Sequence, residues 1–195
     1  MGKKIYFKHG VMGASKSLDL IRAEYNYRER GLETIVFTPA TDTRSDGKIK
    51  SRIGLSVDAI VVKKTDSIFE ITRNKLSNGH NIRAVFVDEV HFLQANQIDQ
   101  LGMIADTFGI SVLSYGLRTD FRSKLFPASK RLLEIADEIE EIKAMCECGK
   151  KAICNARFIN GEATKTGEQI FVGDQEYKSF CRGCYNNLFI EKDKL

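Results

Sequence analysis

Residues 84–89, AVFVDE, form an apolar run with no polar interruption until it closes on two carboxylates. TIVFT at 34–38, DAIVV at 58–62 and SVLSYG at 111–116 share that texture, and KIYFK at 4–8 reads as a further strand. A strand without apolar–polar alternation has to be buried on both faces, which is the condition of a parallel sheet. The stretches between the runs carry helical spacing. Leu18, Ile21 and Tyr25 define one face of a helix over 16–30 that Gly31 stops. A second helix over 67–77 closes at Asn78-Gly79. Ile98, Leu101, Ala105 and Phe108 mark a third, leading to Gly109. The spacing of Leu132, Ile135 and Ile139 predicts a last helix over 128–141. Residues 40–56 are polar and read as a long loop. Strands and helices alternating in this way predict an α/β fold, a parallel sheet with helices on both faces. Such sheets bind ligands beyond the carboxyl ends of their strands.

The residues with chemistry to offer fall at those ends. Gly10-Val11-Met12-Gly13-Ala14-Ser15-Lys16-Ser17 follows a strand and opens a helix. It is nearly the P-loop pattern G-x-x-x-x-G-K-[ST], with Ser15 in place of the second glycine. Backbone N–H groups at a helix start attract phosphate oxygens. Lys16 can reach the outer phosphates of ATP, and the Ser17 hydroxyl can ligate Mg²⁺. If position 15 needs a positive φ, a serine there costs about 1–2 kcal/mol. Asp88, at the end of the 84–89 run, is suited to hold Mg²⁺ beside the phosphates. Glu89 follows it and is a candidate general base.

From Met145 onward the texture changes to cysteines, glycines and short strand-like runs. This places a boundary between a nucleotide-binding domain, 1–144, and a smaller unit, 145–195. All five cysteines lie in the second part. Cys146-x-Cys148 and Cys181-x-x-Cys184 are two pairs suited to one tetrahedral Zn²⁺, with Gly149 and Gly183 at their turns. Four thiolates close the coordination sphere, so the metal is read as structural, and Cys154 as a packed free thiol. An odd cysteine count in a chain with no export-signal pattern argues for metal binding over a disulfide framework and fits a cytoplasmic protein. A net charge of +4 fits an anionic small molecule and falls short of a dedicated nucleic-acid binder. No run is long enough to span a membrane.

Taken together, GVMGASKS (10–17), Asn26-Tyr27-Arg28-Glu29-Arg30-Gly31, Asp42-Thr43-Arg44, SRIGLS (51–56), VDEVHF (87–92), YGLRTDF (115–121) and the paired cysteines resemble the type II thymidine kinases. The resemblance runs from residue 5 to about residue 185. It implies a RecA-like P-loop core and a zinc-ribbon-like C-terminal unit whose lasso loop folds over the nucleoside. It implies transfer of the ATP γ-phosphoryl group to the 5′-hydroxyl of thymidine. Residues 10–17 and Asp88 would then bind ATP and its metal, and Glu89 would deprotonate the acceptor. Arg44 would sit near the transferring phosphate. Phe121 would pack on the base, and Ile170, Phe171, Val172, Gly173 and Tyr177 would contact the nucleoside from the lasso. A homotetramer and feedback inhibition by dTTP are also implied. His91 stands where the family more often carries glutamine, and reads as a packed or surface histidine.

Three other readings compete. Asp88-Glu89-Val90-His91 spells a DExH box, which with a zinc ribbon suggests a nucleic-acid-dependent ATPase. Helicase action, however, generally needs two sheet-containing lobes, only about 140 residues precede the cysteines, and the charge is modest. A non-catalytic nucleotide-binding scaffold would explain Ser15. A kinase for another nucleoside would share nearly every motif.

Overall fold

The computed structural model describes residues 4–41, 47–169 and 176–190. Strand β1 (Ile5–His9) leads through the 10–15 turn into α1 (Lys16–Glu29), and β2 (Glu33–Pro39) follows. A hairpin of β3 (Lys48–Lys50) and β4 (Ser56–Asp58) precedes β5 (Ile60–Val62). Next come α2 (Ile68–Ser77), β6 (Ile82–Val87), a 3-10 turn (Val90–Phe92), α3 (Ala95–Phe108) and β7 (Ser111–Gly116). Helix α4 (Pro127–Ile135) and β8 (Glu138–Glu141) close this part. Among the described residues the main sheet has the order β5-β2-β6-β7-β1-β8, and all its pairings are parallel.

Period-2 alternation distributes the apolar runs between two cores. Phe7, Ile35, Phe37, Val85, Val87 and Val112 face one side, packed against α2, α3 and α4. Val36, Ala84, Phe86 and Tyr115 face the other, under α1 and the β3–β4 hairpin. Both faces are therefore covered, as the uninterrupted runs require. Local signals set several element ends. The Ser67 hydroxyl accepts from the Glu70 N–H to start α2, and Gly109, at φ +62°, ends α3.

Three expectations need correction. The buried face of α1 carries Leu20, Ile21 and Glu24, with Lys16 at its start, while Tyr25 is exposed. That stripe includes two charged residues, so an apolar count misplaces it. The described part of 40–56 contains β3 and most of the hairpin, whose Ile49 and Val57 are buried against α1. Residues 128–141 do not make one helix. Asp137 exchanges hydrogen bonds with Ile5, its N–H donating to the Ile5 carbonyl and its carboxylate accepting from the Ile5 N–H. This turns the chain onto the open edge of β1, and 138–141 continue as strand. Leu132 is buried, whereas Ile139 is 48% exposed.

The C-terminal part begins with a small hairpin, β9 (Ala144–Met145) and β10 (Lys151–Ala152). A three-stranded antiparallel sheet follows, β11 (Cys154–Ile159), β12 (Glu162–Thr164) and β13 (Glu176–Phe180), in the order β12-β11-β13. Helix α5 (Arg182–Ile190) comes last. Gly183 thus lies in the first turn of a helix, where it opens no separate loop. A shared core joins Val11 and Ala14 of the 10–15 turn to Ala156, Phe180, Cys181 and Tyr185. No helix among the described residues is long and apolar enough to cross a membrane.

The two fates of 128–141 can be measured by urea unfolding. Leu132→Ala should cost about 2–5 kcal/mol of stability. Ile139→Ala should stay within about 0.5 kcal/mol of wild type. Equal losses at the two positions would contradict the exposed edge strand.

Candidate active site

Strand β1 ends at His9, and the chain turns at once. A Cβ on Gly10 would lie 2.6 Å from the Ile142 carbonyl oxygen, so only glycine fits where the turn passes the segment after β8. The Gly10 N–H donates to the Gly116 carbonyl at 3.2 Å, tying the turn to the end of β7. Ser15, the N-cap of α1, has φ 60° and ψ 29° and makes no side-chain cap bond. The departure from the P-loop pattern thus falls at a left-handed position, where a serine is strained. The Lys16 ammonium is buried and donates to the Val11 carbonyl at 3.0 Å, across its own turn. The first N–H groups of α1 have no partner within their helix, which leaves positive potential at this end.

Ser17 is the link to the second strand end. Its Oγ donates to Asp88 Oδ2 at 2.8 Å. Asp88 directly follows β6, and its N–H extends the ladder by donating to the Phe37 carbonyl. Burial, and then the neighbouring Glu89 carboxylate, push the Asp88 carboxyl up to about 7. A buried acid beside another acid calls for a cation, and a divalent ion would reverse the shift. With Ser17 and Asp88 oxygens side by side at a helix start, the donor set is all oxygen, as a magnesium ion requires.

Glu89 resolves a geometric difficulty. Successive residues of a strand point to opposite faces, which would separate its carboxylate from that of Asp88. Glu89 instead adopts φ 45° and ψ 37°, a left-handed conformation that ends the strand and starts the 3-10 turn. Its Oε2 lies 3.4 Å from His91 Nδ1. His91 is buried, its Nδ1 accepting from the Leu117 N–H at 3.2 Å and its ring packing against Phe92 and Phe126. It is a packed histidine that fixes the turn behind Glu89.

Beyond β7, Asp120 organises the 117–126 loop. Its buried Oδ1 accepts from the Arg122 and Lys124 N–H groups, and its Oδ2 from the Arg122 guanidinium and the Gln169 amide. Phe121, the expected base contact, is 2% exposed. The guanidinium of Arg157 lies over its ring at 3.7 Å. Arg157, on β11, is itself buried. Its Nε donates to the Tyr177 hydroxyl at 2.8 Å, and its Nη2 donates to the Glu168 carbonyl at 2.8 Å. One arginine therefore joins Phe121 and Tyr177, with the segment before residue 170 held to both. Arg44, Ile170, Phe171, Val172 and Gly173 lie outside the described residues. The sequence reading missed Arg157 and Asp120. Asp120 sits inside YGLRTDF, where its position after Thr119 in a turn was an available signal; nothing marks Arg157, a cation on an apolar strand.

The four paired cysteines converge. The sulfurs of Cys146, Cys148, Cys181 and Cys184 lie within 4.8 Å of one another, with Cys148 and Cys181 at 3.6 Å. Tetrahedral zinc with Zn–S bonds near 2.3 Å sets its sulfurs about 3.8 Å apart. Backbone N–H groups, that of Cys148 first, lower the Cys146 thiol to about 7. Those of Cys184 lower the Cys181 thiol, while the other three sulfurs push Cys184 up to about 12. Four sulfurs this close cannot all ionise without a cation among them, so the quartet fits zinc. Cys154 is buried in the same core, outside the quartet.

Comparisons with known proteins agree with this geometry. A thymidine kinase of Legionella pneumophila (strain Lens) is 47% identical over 182 residues, 92% of this chain and 87% of that protein. The thymidine kinase of Enterobacteria phage T4 is 45% identical over 186 residues, covering 94% and 96% of the two chains. That of Agrobacterium fabrum is 48% identical over 183 residues, covering 92% and 94%. Among solved structures, the Pif1 helicase from Candida albicans matches 72% of this chain and 36% of its own at 15% identity. Its TM-score of 0.45 carries no weight for fold or activity. The family model for thymidine kinase matches residues 3–185, and the chain belongs to the thymidine kinase family.

Proposed function

We propose that this thymidine kinase family member transfers the ATP γ-phosphoryl group to the 5′-hydroxyl of thymidine with Glu89 as general base. The observation that carries this reading is the Ser17–Asp88 hydrogen bond with Glu89 turned left-handed beside it. Residues Gly10, Val11, Met12, Gly13, Ala14 and Ser15 form the phosphate turn, and Lys16 supplies the charge that follows the γ-phosphoryl group. Ser17 and Asp88 would hold Mg²⁺, which neutralises the charge of the phosphates when bound. Glu89 accepts the proton of the 5′-hydroxyl as its oxygen bonds to the γ-phosphorus. The bond from that phosphorus to the β–γ bridging oxygen breaks, and ADP leaves. Phe121 and Tyr177, joined through Arg157, back the nucleoside side, while Arg44 and residues 170–173 complete the contacts with substrate. Excluding water matters because water competes with the sugar hydroxyl as acceptor.

The same reading divides the chain near 144–145 into a nucleotide-binding unit and a zinc-stapled unit. It extends to a homotetramer in the cytoplasm, inhibited by dTTP. The DExH spelling of 88–91 carries no helicase reading. His91 is turned into the protein against Leu117, and among the described residues a single parallel sheet precedes the cysteines.

Labelled thymidine with ATP and Mg²⁺ is the direct assay, and Lys16→Ala should lower product formation below about a tenth of wild type. Glu89→Gln keeps the shape and removes the basic oxygen, so kcat should fall about 100-fold or more. Thymidine and ATP should still bind this variant, as read by calorimetric titration. A kcat within threefold of wild type would place the base elsewhere.

Zinc has a separate readout. Metal analysis of the purified protein should find about one zinc per chain, as a closed four-thiolate site requires. Cys181→Ser should lose the metal and lower the melting temperature, because zinc binding here is folding free energy. Cys154→Ser should keep the metal. A zinc-free protein of wild-type stability would overturn the assignment.

A further inference from the structure

The C-terminal part hydrogen-bonds to one residue of the phosphate turn, Met12, through both of its backbone groups. The Met12 N–H donates to Asn155 Oδ1 at 2.8 Å. The Met12 carbonyl accepts from the Ser179 hydroxyl at 2.6 Å. Asn155 and Ser179 are directly paired across β11 and β13, so their side chains leave the same face of one antiparallel pair. The N–H and the carbonyl of Met12, which belong to the two successive peptide units flanking its Cα, are thus both taken by two neighbouring strands. Asn155 is 3% exposed, and its amide also donates to the Thr119 carbonyl at 3.3 Å, in the loop that carries Phe121. On either side of Met12, Val11 and Ala14 are packed into the core that holds Cys146, Phe180 and Cys181.

The position of this clamp within the turn gives it a consequence for ATP. Met12 precedes Gly13, which has φ +78°, and the left-handed Ser15. Orienting the two peptides that flank Met12 restricts where the Gly13 N–H and the groups after it point on the way to α1. The turn's own bond from the Ala14 N–H to the Val11 carbonyl leaves both backbone groups of Met12 to be ordered from outside, and ordering them on binding would weaken affinity. The clamp orders them beforehand.

We propose that Asn155 and Ser179 are positioning residues for the triphosphate: they hold the Met12 N–H and carbonyl, and with them the two peptides flanking Met12, so that the phosphate turn is set for ATP before ATP arrives. This rests on the reading of 10–17 as the ATP site. It also makes ATP affinity depend on the strands that the cysteine quartet holds together.

The test uses the full-length, zinc-loaded protein with Ser179→Ala, Ser179→Thr and Asn155→Ala, with zinc content and melting temperature measured for each. ATP affinity is read by calorimetric titration, and KM is read for ATP and for thymidine separately. Loss of one such hydrogen bond should weaken ATP binding about fivefold in Ser179→Ala, with thymidine KM within about twofold of wild type. Ser179→Thr keeps the hydroxyl and should bind ATP as wild type does. Asn155→Ala should weaken ATP at least as much; if it does not fold, the Ser179 pair decides alone. ATP binding unchanged in Ser179→Ala overturns the proposal. So does an equal loss for ATP and thymidine, or a Ser179→Thr variant no better than alanine, since each would mean general damage. A wild-type protein that fails to bind ATP would remove the underlying reading as well, a result distinct from normal binding that the substitutions leave untouched.

Discussion

The hydrogen bond from Ser17 to Asp88 joins two strand ends that are not neighbours in the sheet. β7 lies between β1 and β6, so the contact has to be made over its end. Gly116 is what permits this. A Cβ there would meet the Val90 Cγ1 at 2.9 Å and His91 atoms at 3.1 and 3.2 Å. Without a side chain at the end of β7, the 3-10 turn after Asp88 folds across it. The Gly116 carbonyl meanwhile holds the Gly10 N–H. The phosphate turn, the acidic pair and the 117–126 loop meet because one strand ends in a residue with no side chain. Parallel order brings these ends to one edge of the sheet, and that glycine brings them within hydrogen-bond reach.

Elements whose boundaries rest on local chemistry were readable from the sequence. β7 occupies 111–116 as its apolar run predicts, and Ser67, Gly31 and Gly109 mark the helix ends at which they stand. Elements that depend on a distant partner were not. β8 exists because β1 has a free edge and Asp137 docks on Ile5; its own residues, Glu138 to Glu141, have little strand propensity. The face of α1 was misread because Lys16 and Glu24 are buried for polar reasons, Glu24 accepting from the Thr34 hydroxyl. The site divides in the same way. Lys16, Ser17, Asp88 and Glu89 are legible because strand-end logic and motif spacing agree on them. Arg157, Asn155 and Ser179 lie on short strands where alternation says only in or out. What each side chain meets is set by the 10–17 turn and the 117–126 loop, far away in sequence.

The C-terminal unit is fastened to the core through polar groups as much as through apolar ones. Asn155 and Ser179 take the Met12 N–H and carbonyl, and Arg157 takes Phe121 and Tyr177. Tyr185 of α5 donates its hydroxyl to the Phe121 carbonyl. β11 thus reaches both the proposed ATP turn and the proposed nucleoside side within a few residues. A strand that braces both proposed sites has to be rigid, and a unit this small has few apolar contacts with which to stiffen itself. The convergent sulfurs at the ends of β9 and β13 supply the missing cross-link when a metal holds them.

Ser15 in the phosphate turn and Glu89 at the acidic strand end both sit in left-handed conformations, and they differ in what the strain returns. Such a conformation costs about 1–2 kcal/mol for a residue with a side chain, out of a total stability of about 5–15 kcal/mol. At position 15 a glycine would relieve the cost, since the serine makes no cap bond to α1. At position 89 the same relief would delete a carboxylate. An extended Glu89 would keep the carboxylate but direct it to the face opposite Asp88. Only the strained conformation puts both acids at one strand end. The buried His91–Leu117 bond behind the turn helps hold it there. In the proposed mechanism the strain at Glu89 is therefore part of how the base is aimed, whereas the strain at Ser15 is separable from the chemistry.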